Sequence, residues 1–138
     1  MAADEEEERR PPATGEDARY RDAEEELARE LLQILESSYG KGARQARVHV
    51  LGDMVFCVLD GIELLPNEQF LVDNGKASSV IEVRLQYQQA IETTFRAAVE
   101  RATGRRVVSF ASVTKIDPNY AVEVFRLAED TGTELPEP

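Results

Sequence analysis

The chain has 138 residues, 42% of them hydrophobic, and its 27 acidic against 16 basic side chains give a net charge of −11. One domain is the expectation at this length. The longest apolar run, Met54 to Leu59, is far short of the roughly 18 residues a bilayer span requires, so no direct membrane insertion is predicted.

Met1 to Arg10 is acidic and has no apolar core of a secretory leader and no acid-poor, Arg-rich character of a transit peptide, so a cytoplasmic location is expected. Residues 1–26 carry 11 acidic and 4 basic side chains, residues 128–138 carry four acids and no base, and the stretch between is neutral. The sequence therefore predicts acidic disordered tails over 1–21 and 129–138 around a single folded domain over 22–128. Such tails can be autoinhibitory strips, nucleic-acid mimics or solubility devices. Like-charge runs are usually solvated, and the missing basic footprint argues against a nucleic-acid partner.

From Asp22 to Ser38 the apolar residues Leu27, Leu31, Ile34 and Leu35 fall on one stripe of an amphipathic helix, which Gly40 and Gly42 stop. Arg44 to Leu51 and Met54 to Asp60 then read as two strands joined by a Gly52-Asp53 turn. Alternation puts Ala46, Val48, Val50, Val55, Cys57 and Leu59 on a core face. The opposite face holds Arg47, His49, Leu51, Met54, Phe56 and Val58. It is more apolar near the turn than a solvated face, so another element or another chain is expected to cover it. Pro66 opens a short helix ending at Asn74-Gly75, and a longer helix is expected from Ser78 or Ser79 to Thr103, with Ser79 and Glu82 as a capping box. Its stripe would be Val80, Val83, Tyr87, Ile91, Phe95, Ala98, Val99 and Ala102. A second hairpin follows, Val107 to Thr114 and Tyr120 to Leu127, turning at Asp117-Pro118-Asn119. The order predicts an α+β domain with a four-stranded, mainly antiparallel sheet from two hairpins and helices on one face.

Candidates for chemistry are few. Cys57 can form no internal disulfide, and one cysteine with one histidine is too small a set for structural zinc, so no metal or cofactor is expected. A Cys57–His49 dyad fails if the hairpin holds, because the two side chains project from opposite faces. Asp53, Asp60 and Asp117 occupy turn or strand-end positions, where short polar side chains serve backbone geometry. Gly40-Lys41-Gly42-Ala43-Arg44, with Arg47, lacks the spacing and the Lys-Ser/Thr pair of a phosphate-binding Walker loop. It is either a helix stop followed by edge-strand charges or an anion site. Arg105-Arg106 repeats the layout at the other hairpin, and the two corners would make one anion site if they lie together.

The helix ending in Gly40-Lys41-Gly42, the ribbon from Val48 to Gly61, the helix closing in Thr103-Gly104-Arg105-Arg106 and the ending Asp117-Pro118 to Phe125 together resemble the MpsC family. These are small bacterial proteins named after a sodium-translocating, membrane-potential-generating system. The resemblance covers about 22–128. It implies an accessory role beside a large membrane subunit and a large soluble partner, linked to inorganic carbon supply, and it supplies no catalytic residue. Ala43 departs from the family pattern, where proline commonly stands, as does Arg126 in a strand that is usually apolar. The sequence thus predicts a non-enzymatic module working through protein contacts, a homodimer joined through Leu51, Met54, Phe56 and Val58 and a possible subunit of a membrane complex. The alternative is a small-ligand or anion-binding regulatory domain using Lys41, Arg44, Arg47, Arg105 and Arg106.

Overall fold

The computed structural model describes residues 18–129. A single 3-10 turn, Ala18–Tyr20, leads into helix α1, Arg21–Tyr39, which buries Leu27, Leu31 and Leu35 at a spacing of four. Gly40 closes it in the left-handed region at φ 102° and donates its N–H to the Glu36 carbonyl, the C-terminal geometry that glycine alone adopts without cost. Strands β1 (Ala43–Leu51) and β2 (Met54–Ile62) follow, then helices α2 (Pro66–Asp73), α3 (Ala77–Ala90) and α4 (Glu92–Thr103), then strands β3 (Val107–Lys115) and β4 (Tyr120–Leu127). The sheet order is β1-β2-β4-β3, antiparallel throughout. The α+β class and the two hairpins stand as the sequence predicted.

The first hairpin has the predicted register, Leu51 opposite Met54 and Val48 opposite Cys57. Gly52 has φ +61° and Asp53 is not positive, the sign pattern of a type II′ turn, whose twist matches that of the strands. Cys57 lies in the core, and His49 projects from the other face. The two do not meet.

Three expectations are corrected. Tyr20, inside the segment assigned to the acidic tail, is buried in the main core, because an aromatic ring gains more from burial than its charged neighbours lose by being held close. The rest of the tail prediction, 1–17 and 130–138, lies outside the described residues. The long helix is two helices parted at Ile91, where Thr93 and Thr94, poor helix formers, begin the second. Its first half starts at Ala77 with no side-chain cap, so Ser79 and Glu82 form no capping box. The return bond of a capping box occurs instead in α2, where Leu65 N–H donates to Glu68 Oε1 at 2.8 Å.

The third correction concerns the buried side of α3. It buries Val80, Arg84 and Gln88 and leaves Val83, Leu85 and Tyr87 exposed. The reason is Glu68. Arg84 Nη2 lies 2.7 Å from Glu68 Oε1 and Arg84 Nε 2.8 Å from Oε2, with the guanidinium 4.5 Å from the centre of the Tyr39 ring. A bidentate, ring-stacked ion pair is more directional than an apolar stripe, and it sets how the helix is turned. Burial pushes the Glu68 pKa up, but the bonds from Arg84, Tyr39 and the Leu65 N–H outweigh it and hold the carboxyl below its ordinary value. Tyr39 responds in the opposite sense, raised to about 12 by burial and by the carboxylate its hydroxyl donates to.

The helices share one face of the sheet. Facing them are three cross-strand rows: Val50, Val55, Phe125, Phe110; Val48, Cys57, Glu123, Ser112; and Ala46, Leu59, Ala121, Thr114. The apolar members fall into two clusters, a large one with α1 and α4 and a smaller one around Leu35, Ala43, Leu59, Ile62 and Ala121.

Candidate functional site

The opposite face of the sheet has four rows. At the Gly52 end lie Leu51, Met54, Arg126 and Ser109; next His49, Phe56, Val124 and Ala111; then Arg47, Val58, Val122 and Val113; and last Gln45, Asp60, Tyr120 and Lys115. Phe56, Val58, Val122, Val124, Ala111 and Val113 thus form an apolar plate over three strands, with a rim of polar and charged side chains. No described helix covers it, and Val113 is 48% exposed. An apolar centre inside a polar rim is the anatomy of a protein contact surface.

Each edge of the sheet carries one feature that discourages strand addition. β1 is an edge strand, and its Val50 N–H donates to Glu24 Oε2 of α1 at 2.7 Å. β3, the other edge, is interrupted by a register shift between Val107 and Ser109. A capped amide and an irregular register both deter strand addition. Among the described residues no helix lies on the face.

Of the four contact residues read from sequence, Phe56 and Val58 are at the plate's centre and Leu51 and Met54 at its rim, where Arg126 Nη1 lies 4.0 Å from Met54 Sδ. The β4 and β3 half of the plate was missed because its membership depends on β2 pairing with β4, which no local spacing encodes. The alternation Tyr120, Val122, Val124, Arg126 was the available signal.

The two basic corners are not brought together. Lys41 and Arg44 sit where β1 begins, and Arg105 and Arg106 sit by the far end of the sheet, where β3 begins beside the close of β4. The nine residues of β1 separate them by roughly 26 Å at the usual rise per residue. Arg44 folds over Gly61, its Cβ 3.0 Å from where a side chain at that glycine would start. Arg47 pairs with Asp60 at 2.9 Å on the plate's rim. Lys41 and Arg106 are exposed. Arg105 is buried and engaged: Nη1 donates to the Gly52 carbonyl at 3.0 Å, Nη2 to Asp53 Oδ1 at 2.5 Å and to the Ala128 carbonyl at 2.6 Å. Burial opposes its charge, and the bonds with Asp53 and Tyr20 overcome that, so its pKa is raised. It is a clamp on the hairpin turn.

Among the described residues no group of three or more His, Cys, Asp or Glu side chains is placed to hold a metal ion, and no helix is long and apolar enough to cross a membrane. Burial, with the Glu123 charge beside it, pushes the Cys57 thiol well above its ordinary pKa, which leaves it un-ionised and a poor nucleophile.

Comparison with known families gives a match to the family described as "Na+-translocating membrane potential-generating system (MpsC)", over residues 20–129. No curated protein and no solved structure matches. The match takes in nearly all of the described residues, and the chain belongs to the MpsC family.

Proposed function

We propose that this member of the MpsC family is a non-enzymatic accessory module of a sodium-translocating, membrane-potential-generating system, acting in the cytoplasm through protein contacts, first with a second copy of itself. The carrying observation is the apolar plate of Phe56, Val58, Val122, Val124, Ala111 and Val113, ringed by polar side chains, which no described helix covers. A second copy is the partner that fits it. The rim carries both signs, Arg47, Arg126 and Lys115 with Asp60, so a twofold-related plate need not set like charges against like, and the same patch then serves on both sides. The family's name supports the association with a membrane system, in which a domain of this size would act beside the membrane subunit rather than in place of it.

Sedimentation equilibrium from one to fifty micromolar tests the contact. A particle of twice the 15.4 kDa chain mass supports the reading, provided that Val122→Lys, in mid-plate, returns it to the single mass while far-ultraviolet circular dichroism is unchanged. A single-chain mass for the wild type across that range, or a dimer indifferent to Val122→Lys, overturns it.

A further inference from the structure

The row Val48, Cys57, Glu123, Ser112 crosses the middle of the buried face, and its third member is an acid. Glu123 is 0% exposed, and neither carboxyl oxygen makes a hydrogen bond of normal geometry, the weakly placed Ser112 hydroxyl being its polar neighbour in the row. A carboxylate stripped of water and unpaired is among the costliest groups a fold can hold, whereas its protonated form is merely a polar group short of a bond. Among the described residues no counter-charge faces it from the layers around it. The inward stripes of α1 (Leu27, Leu31, Leu35) and α4 (Phe95, Ala98, Val99) are uncharged. In its own row, β2 offers the Cys57 thiol and β3 the Ser112 hydroxyl. From α3 the buried cation is Arg84, whose guanidinium is committed to Glu68 and to the Glu63 carbonyl.

The acid also lies where the packing changes character. The large apolar cluster holds the row above it and the smaller cluster the row below. Toward β3 the buried groups are polar: Ser112 Oγ and, on α3, Gln88 Oε1 are enclosed without partners as well, and Thr114 is buried beside them in the next row. Both α3 and α4 pack on β3, and of the two α3 is the one with a polar inner stripe, Arg84 and Gln88.

We propose that Glu123 is a proton-operated latch: while it holds its proton α3 stays seated on the sheet, and once the proton leaves, the carboxylate must find water, which loosens α3 from β3, the strand beside it. Burial, partly offset by Ser112, raises the Glu123 pKa to about 7, so the latch works across the neutral range. The stability linked to this proton is complete below the acid's unfolded pKa and is lost as pH rises to the folded value, beyond which the loss stays constant.

Two measurements test it. The first is infrared titration of the wild-type chain, which needs no variant: a buried protonated-carboxyl stretch is expected at pH 6 that fades toward pH 8, and its absence at pH 6 overturns the proposal. The second is amide hydrogen exchange of wild type and Glu123→Gln from pH 5 to 8.5, corrected for intrinsic rates. Protection of α3 and β3 is expected to fall roughly a hundredfold with rising pH in the wild type, in line with a shift of two or more pKa units, and to stay level in Glu123→Gln. Should the glutamine variant not fold, Glu123→Leu replaces it as the proton-blind reference. Equal pH profiles in wild type and reference, or a loss of protection spread evenly over all helices, overturn the latch.

Discussion

Arg105 reaches back 52 positions to Asp53, its Nη2 2.5 Å from the carboxylate, and so ties the approach to β3 to the turn of the first hairpin. The same guanidinium bonds the carbonyls of Gly52 and Ala128, joining three pieces of chain that meet at one end of the sheet. Replacing Arg105 with Ala is expected to cost about 2 to 3 kcal/mol, since several charge-assisted bonds to a carboxylate and two carbonyls are lost together with the packing of a buried side chain. Arg105→Lys, which lacks the fork, should recover less than half of that. Urea unfolding checks both.

The Glu68–Arg84 pair should be expensive to break from one side. Arg84→Met leaves a buried carboxylate and should lose about 3 to 5 kcal/mol, whereas Glu68→Leu combined with Arg84→Met should regain most of it, because removing both charges removes the cost of burying either. A double-mutant cycle by chemical denaturation decides. Equal losses for the single and double variants would show that the helix is seated by its apolar contacts instead.

pH acts on Glu68 and Glu123 in opposite directions. Glu68 is held below its ordinary pKa by Arg84, Tyr39 and the Leu65 N–H against the pull of burial, so its contribution is present above the unfolded pKa and disappears as pH falls through the folded value. Glu68→Gln is therefore expected to flatten the acid side of the stability profile, below about pH 4.5, and to leave the slope between there and neutrality, assigned to Glu123, in place. Thermal melts from pH 3 to 8 measure this.

Two glycines with nearly the same φ should respond differently to alanine. Gly52, at φ +61°, has nothing within 4 Å of a would-be Cβ, while at Gly61, at φ +66°, that atom would meet Arg44 Cβ at 3.0 Å. Gly52→Ala should cost about 1 kcal/mol for the backbone alone. Gly61→Ala should cost roughly 1 kcal/mol more, because the obstacle is a strand Cβ that cannot swing aside. Differential scanning calorimetry of the two variants gives the comparison.

Much of the fold was legible because it is written locally. The spacing of Leu27, Leu31 and Leu35, the Gly52-Asp53 turn between two β-branched runs and the glycine stops at 40 and 104 each depend on neighbours a few positions away, so α1, both hairpins and the separation of His49 from Cys57 could be read in advance. The inward side of α3 is not written locally, because an acid on another helix overrules its apolar pattern. Arg84 looks like a surface residue until Glu68, sixteen positions back, is set beside it.

The candidate site divides along the same line. Its β2 half, Phe56 and Val58, followed from alternation, and its β4 and β3 half did not. By itself the sequence determined which residues share a side of each hairpin, because side-chain direction in a strand is fixed by the backbone. Only the tertiary structure decided that β2 lies against β4, and from that one pairing came the apolar plate, the wide separation of the two basic corners and the burial of Glu123 in a row of four. Long-range pairing is selected by the summed packing of whole faces, a quantity that no short window of sequence contains.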